Sequence, residues 1–396
     1  MIYTDFHGER LSLLGLGTMR LPTLADGSID QAQLESMVRI AMAQGVNYFD
    51  TAVPYHGGTA EAAIGKALAA YPRDSWYLAD KFPGHQIAAS YDPKATFEEQ
   101  LQKCGVDYFD FYLLHNVYER SIKTYTDPRW GILDYFREQK RLGRIRHLGF
   151  SSHGRLDNLK EVLDLIGDDM EFCQIQLNWL DWSLQEAREK VQLLREHNIP
   201  VWVMEPLRGG RLCQLDAAAE ARLNALRPGV SPTEWSFRFL QGIPNVQMIL
   251  SGMSNLQQMQ ENAAMFRERH ALTDAETDAL LSLTDTLTDS VPCTACRYCT
   301  PHCPRGLDIP MLLHTYNELK VETALNIGMR LEALPEEKQP TACIGCGKCA
   351  RMCPQNIDIP GELKALTAKA AAMPRWEDIC RKRDEEARKL KAQQTR

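Results

Sequence analysis

Twelve cysteines occur in the 396 residues, and eight of them fall in two short runs, 293–303 and 343–353. Each run has the same spacing: Cys293, Cys296, Cys299 and Cys303, then Cys343, Cys346, Cys349 and Cys353, with a proline after the fourth. Thiols this close together in a chain with no export signal read as metal ligands rather than as a disulfide framework. A structural zinc site usually takes two cysteine pairs separated by a longer loop. Four thiolates at spacings of three, three and four suit the corners of an iron–sulfur cubane instead. The proline then turns the chain away from the cluster. The remaining cysteines, Cys104, Cys173, Cys213 and Cys380, are scattered.

A second set of residues could move protons. Asp50 and Tyr55 stand five apart in DTAVPYHGG, Lys81 lies in LADKFP, and His115 lies in YLLHN. Each alone has an ordinary explanation as a structural hydrogen-bonder or an ion pair. Together they allow a specific chemistry. A tyrosine hydroxyl, with a pKa near 10, is a weak acid at neutral pH. A nearby ammonium stabilises its phenolate, and a carboxylate can hold that ammonium in place. Asp50, Lys81 and Tyr55 would form a proton-donating relay, with His115 polarising a carbonyl oxygen placed between it and Tyr55.

The elements that must position these side chains are legible as an alternation. Short apolar runs at 11–17, 47–52, 76–82, 109–116, 146–152, 172–178, 200–206 and 247–252 read as strands, separated by helical patterns. Strand-then-helix alternation argues for a parallel sheet, and eight units in about 250 residues is what a (β/α)8 TIM barrel needs. A doubly wound sheet would usually carry a glycine-rich loop and helix directly after its first strand. Here LGLGTM runs into RLPTLADGS with no immediate helix. In a barrel, Asp50, Lys81 and His115 end consecutive strands and open on one mouth.

The D-T-A-x-x-Y stretch, the Lys and His strand exits and the strand order resemble the aldo-keto reductase family over residues 1 to about 268. The resemblance implies catalytic roles for Tyr55, Lys81, Asp50 and His115, a carbonyl or alcohol as the small-molecule substrate, and NAD(P)(H) as cofactor. It places Ser151, Ser152 and Gln174 by the nicotinamide carboxamide. Pro206, Leu207 and Gly209 fall in the loop over the pyrophosphate, and Gly252, Ser254, Gln258 and Asn262 by the adenine ribose. The chain departs from the family in two places. Met204 stands where the family often stacks an aromatic ring on the nicotinamide. Ser254, Asn255 and Gln258 put no cation near a 2′-phosphate, so NADH and NADPH are not distinguished, and room is left for a flavin.

The tail contains a repeat: CPRGLDIP at 303–310 and CPQNIDIP at 353–360 share Cys, Pro, Asp, Ile and Pro at an offset of 50. Both cysteine runs match the bacterial ferredoxin pattern, in which the fourth cysteine of each run serves the other cluster. One [4Fe–4S] cluster would take Cys293, Cys296, Cys299 and Cys353, and a second Cys343, Cys346, Cys349 and Cys303. The long helical spacer resembles an α-helical ferredoxin domain. The expected organisation is a barrel over 1–270, a helix and linker over 271–290, and a smaller, mainly α-helical two-cluster domain over 291–396. The charged C-terminal stretch reads as a solvated helix.

A formal net charge of −7 argues against nucleic acid as a partner. No run of about 18 apolar residues suggests a membrane span, and the N-terminus lacks a signal-peptide pattern, so the expected location is cytoplasmic. The leading reading is an iron–sulfur oxidoreductase whose clusters exchange single electrons with a redox protein partner. An ordinary NAD(P)H-dependent reductase with structural clusters, and an electron carrier with a non-catalytic barrel, are the alternatives.

Overall fold

The computed structural model describes residues 1–284 and 290–394. Two compact units emerge: Met1–Thr277 with the C-terminal residues from Arg383, and Asp278–Lys382.

The first unit opens with a hairpin, β1 (Tyr3–Phe6) and β2 (Glu9–Ser12). Its turn residues His7 and Gly8 both take left-handed φ (52° and 84°), as a tight two-residue hairpin turn requires. Eight parallel strands then close a barrel: β3 (Leu14–Gly17), β4 (Tyr48–Asp50), β5 (Tyr77–Phe82), β6 (Phe109–Leu114), β7 (Ile145–Ser152), β8 (Cys173–Gln176), β9 (Val201–Met204) and β10 (Val246–Ser251). Strand β10 pairs with β3 to complete the closure.

All eight expected strands occur, with most ends shifted by one or two residues, and with one difference. The apolar run at 11–17 is two strands, because Leu13 separates the hairpin from the barrel. Ser12 explains the break: its hydroxyl donates to the Leu14 carbonyl at 2.8 Å and accepts from the Asn47 amide at 3.0 Å. The hairpin then packs Phe6 and Leu11 into the barrel's inner cluster of Tyr48, Ala79, Phe111, Phe172, Trp202 and Met248. Gly15 lies in the same interior, where a β-carbon would come within 2.7 Å of Leu250.

The pleat turns this core into a positioning device. Side chains two residues apart share a face, so the faces that bury Tyr48, Ala79, Leu113, Phe172 and Trp202 carry Asp50, Lys81, His115, Gln174 and Met204 next along the chain. The packed floor and the polar mouth are successive layers of one inner surface.

The helix expected over 272–290 starts at a reciprocal cap: Glu276 N–H donates to Thr273 Oγ1, and Thr273 N–H to Glu276 Oε2. It runs only Asp274–Leu281. At its end the Ser282 hydroxyl donates to the Ala279 carbonyl, a side-chain bond of the kind that competes with the helical ladder. Residues 285–289 of that expected helix lie outside the described residues, as do 395 and 396 after the charged helix Trp376–Gln394.

The second unit is helical, built on Ile309–Val321, Leu325–Glu332 and Ile359–Ala371. The sequence repeat is a structural repeat. Asp308 and Asp358 are the N-caps of the first and third helices, accepting from the Met311 and Gly361 amides, and Pro310 and Pro360 occupy the first turns. The apolar faces of these helices bury Leu312, Leu313, Leu319, Leu363 and Leu366 in one core. No helix among the described residues is long and apolar enough to cross a membrane.

Candidate functional site

Asp50, Tyr55, Lys81 and His115 meet at the C-terminal mouth of the barrel. Lys81 Nζ donates to Asp50 Oδ1 at 2.5 Å and to the Thr51 carbonyl at 2.7 Å. Both residues are buried, Lys81 at 0% exposure. Burial opposes the ammonium most strongly of any one influence, but Asp50, Tyr55 and Asp80 together outweigh it and lift the lysine above its ordinary value. Tyr55 begins a 3-10 turn, Tyr55–Gly58, and its ring centre lies 5.2 Å from Lys81 Nζ and 6.1 Å from the His115 ring. Burial raises the Tyr55 hydroxyl above 10, while Lys81 pulls it down. The ammonium thus acts in the direction the relay needs, and burial exceeds it.

His115 follows β6. Burial first, then the neighbouring His85 and Lys81, hold its imidazole well below the usual 6.5, so it is neutral. Its Nδ1 is buried without a hydrogen-bond partner. Its carbonyl accepts from the Tyr125 hydroxyl at 2.7 Å, and the same hydroxyl donates to Phe82 O at 3.0 Å, tying the β5 and β6 exits together.

His85 escaped the sequence reading. Its ring centre is 4.3 Å from that of His115, and its imidazole is hydrogen-bonded to the His115 backbone. Burial lowers it to about 3. It stands four residues after Lys81 in KFPGHQ, so the criterion that selected the strand exits could have found it.

The residues assigned to the cofactor lie around the same mouth with unequal freedom. Gln174 is buried with its Oε1 unpartnered, which suits an amide-bearing group entering from above. Ser151 accepts from the Asn116 amide at 2.8 Å, leaving its proton to donate. Ser152 is committed, donating to the Val117 carbonyl and accepting from the Gly154 amide. Met204 ends β9 and is half-buried. Pro206, Leu207 and Gly209 lie in a loop with left-handed backbone at Glu205, Arg208, Gly209 and Gly210. That loop is fastened below by a buried ion pair between Arg208 and Asp181, whose carboxylate also accepts from Gln176 and Asn178. The pair was not foreseen, since nothing local in the sequence links positions 27 apart.

Gly252, Ser254, Gln258 and Asn262 follow β10. Asn262 is buried and donates to Ser251 Oγ at 3.1 Å, and Ser254 N–H donates to Gln258 Oε1 at 2.8 Å. Arg20, after β3, packs its stem against Gly252, and its guanidinium reaches Glu205 at 3.7 Å and the edge of Gly209. It bridges the seventh and eighth strand exits.

In the second unit the eight clustered cysteines line two separate recesses. Cys293, Cys296, Cys299 and Cys353 surround one of about 310 Å³, open to solvent, with Leu313 and Ile357 behind them. Cys303, Cys343, Cys346 and Cys349 surround another of about 320 Å³, backed by Leu307 and Leu363. The fourth cysteine of each run has crossed to the other recess. Among the described residues no three His, Cys, Asp or Glu side chains converge as a single ion requires. Four cysteines on each recess, with no histidine or carboxylate among its lining residues, are the donor set of a polynuclear iron–sulfur group.

These features agree with comparisons to known proteins. A model described as the aldo/keto reductase family matches residues 13–285, and one described as a 4Fe-4S dicluster domain matches residues 292–357. An uncharacterized oxidoreductase, YqkF, of Bacillus subtilis is 28% identical over 307 residues, covering 69% of this chain and 93% of its own. The NADH-specific methylglyoxal reductase of Escherichia coli is 28% identical over 221 residues, 51% of this chain and 65% of that one. The holo structure of aldo-keto reductase AKR11C1 from Bacillus halodurans aligns with a TM-score of 0.59 at 25% identity, over 72% of this chain and 96% of that one. An aldo-keto reductase from Klebsiella pneumoniae in complex with NADPH shares the fold, with a TM-score of 0.57 at 21% identity over 72% and 96%. The chain belongs to the aldo/keto reductase family, and a 4Fe-4S dicluster domain follows its barrel.

Proposed function

We propose that this oxidoreductase interconverts a carbonyl and an alcohol with NAD(P)(H) at Tyr55, Lys81, Asp50 and His115, and that its clusters exchange electrons with a redox protein. The observation that carries the reading is the buried Lys81, bonded to Asp50 and set against Tyr55.

The neutral His115 imidazole and the Tyr55 hydroxyl face each other across the mouth, 6.1 Å between ring centres. A carbonyl oxygen entering between them receives two hydrogen-bond donors. A bound reduced nicotinamide would supply hydride to the carbonyl carbon. As negative charge grows on the oxygen, the Tyr55 proton transfers to it, and Lys81 stabilises the phenolate left behind. Asp50 keeps Lys81 charged and immobile. Gln174 and Ser151 have the free acceptor and donor to orient a carboxamide, and Arg20 is the cation within reach of phosphates between the seventh and eighth exits.

The ligand sets proposed for two [4Fe–4S] clusters are Cys293, Cys296, Cys299 and Cys353, and Cys343, Cys346, Cys349 and Cys303. Such clusters carry one electron each, whereas a nicotinamide gives up two as hydride, so an electron-exchanging partner is the natural use for them.

The test is anaerobic purification, followed by iron analysis, an absorbance spectrum, and titration with NADH and NADPH. Binding of either nucleotide, with carbonyl turnover lost in Tyr55→Phe, is expected. Failure of both nucleotides to bind defeats the hydride chemistry.

A further inference from the structure

We infer that the cluster-bearing face of the second unit is a docking surface for an acidic, one-electron carrier protein. The inference rests on the electron-exchange reading above and adds to it a surface and a partner chemistry.

Among the described residues of this unit, three large apolar side chains are exposed: Tyr298 at 63%, Ile344 at 57% and Met352 at 43%. All three lie inside the two cysteine runs, although those runs are a small part of the unit. Tyr298 sits between Cys296 and Cys299, Ile344 follows Cys343, and Met352 precedes Cys353. Cys296 and Cys346 are themselves exposed, so each recess has a rim at the protein surface.

Charge marks the same segments. The chain carries a net −7, yet residues 293–307 and 338–357 contain no Asp or Glu. Arg297, Arg305, Lys348 and Arg351 are exposed there. Arg297 is paired with Asp308 at 3.2 Å. The helical turn Lys348–Arg351 packs against the turn Thr300–His302, which sets the two runs side by side. The cysteine runs therefore present exposed apolar side chains and an excess of cations beside two cysteine recesses. A partner complementary to them carries acidic and apolar surface of its own. Because a cubane changes by one electron, that partner must exchange single electrons. In the transfer a reduced carrier loses one electron and a cluster gains one, with no proton or further reactant.

The cations could instead serve only to neutralise the clusters, and the experiment separates the two. An acidic plant-type [2Fe–2S] ferredoxin is the probe, with basic cytochrome c as the control protein. Binding of each to the intact, cluster-loaded chain is measured at low and high salt. Transfer from the reduced ferredoxin and from dithionite is followed by stopped flow. The triple variant Arg305→Glu, Lys348→Glu and Arg351→Glu is compared with its Gln counterpart and with Tyr298→Ser, each checked for iron content. The expected result is ferredoxin binding weakened about tenfold or more by charge reversal and by salt, less by Gln, with dithionite reduction unchanged. Cytochrome c should bind more weakly than ferredoxin to the native chain. Binding and its salt dependence unaltered by charge reversal would overturn the inference. So would sedimentation showing that the face holds a second copy of this chain, or preferential binding of anionic lipid vesicles. Clusters bleached by dithionite but never reduced by ferredoxin overturn the docking surface alone. Clusters bleached by neither overturn the electron-exchange reading itself.

Discussion

The barrel mouth and the cysteine-bearing unit assemble their chemistry in opposite ways. At the mouth, Asp50, Tyr55, Lys81 and His115 come from three consecutive strand exits, and 65 residues separate the first from the last. Their geometry depends on barrel closure. In the second unit, each run supplies three of the four cysteines of a recess within seven residues, and only the fourth arrives from the other run. One site is made by a fold, and the other by a repeat that folds around its contents. The difference teaches where each will be fragile: the mouth to loss of a single proton-handling group, the recesses to loss of the crossing cysteines.

The largest expected effect breaks the mouth without touching the recesses. Tyr55→Phe should lower kcat by roughly 10²- to 10⁴-fold while iron content and cluster absorbance stay unchanged. Loss of clusters in that variant would show that the substitution disturbs more than proton transfer at the mouth.

Next comes the crossing. Cys303→Ser and Cys353→Ser should each remove about half of the iron, measured per chain. Combining Cys353→Ser with Cys293→Ser should remove no more than either alone, because both belong to one recess. Combining Cys353→Ser with Cys303→Ser should remove nearly all of it. Nearly complete loss of iron in the Cys353→Ser, Cys293→Ser pair would mean instead that each run closes its own cluster.

A smaller effect is a pH dependence confined to the barrel. His85 is held by burial to about 3 in the folded chain, against about 6.5 unfolded. Between those values the unfolded state binds more protons, so this contribution to stability is full above about pH 6.5 and is lost as pH falls toward 3. His85→Phe should flatten the stability curve over that window by about one proton, read from urea unfolding of the barrel. His115 contributes in the same direction, since it too is depressed.

The smallest effect distinguishes the two runs from each other. Their backbones repeat, with left-handed φ at Ala295 and Gly345 (52° and 66°) and at Arg297 and Gly347 (63° and 70°). The first run adopts this geometry with side chains, at a cost of about 1–2 kcal/mol per residue. Ala295→Gly should therefore raise the temperature at which cluster absorbance is lost, and Gly345→Ala should lower it, by shifts worth about 1 kcal/mol each.

The repeat was legible because its signals are local. Cysteine spacing, the Asp caps and the prolines beside them act within a few residues, so they read the same in the sequence as in the fold. The barrel strands were legible because buried parallel strands are continuous apolar runs. The features that escaped were long-range or tertiary. Ser12 split the first run by bonding to Asn47, which is 35 positions away. Arg20 reached Glu205 and Gly252 from the first barrel strand's exit, more than 180 positions away. Arg208 and Asp181 fastened a loop whose need for anchoring no periodicity announces.

By itself the sequence determined the element order, the cysteine runs and the side chains that end each strand, because these arise from composition, spacing and a two-residue pleat. Tertiary structure decided which histidine lies against His115, which ion pair fastens the loop after the seventh barrel strand, and how far burial outweighs Lys81 at Tyr55. Those outcomes depend on distances and on exclusion of water, and both come into being only when the chain has closed on itself.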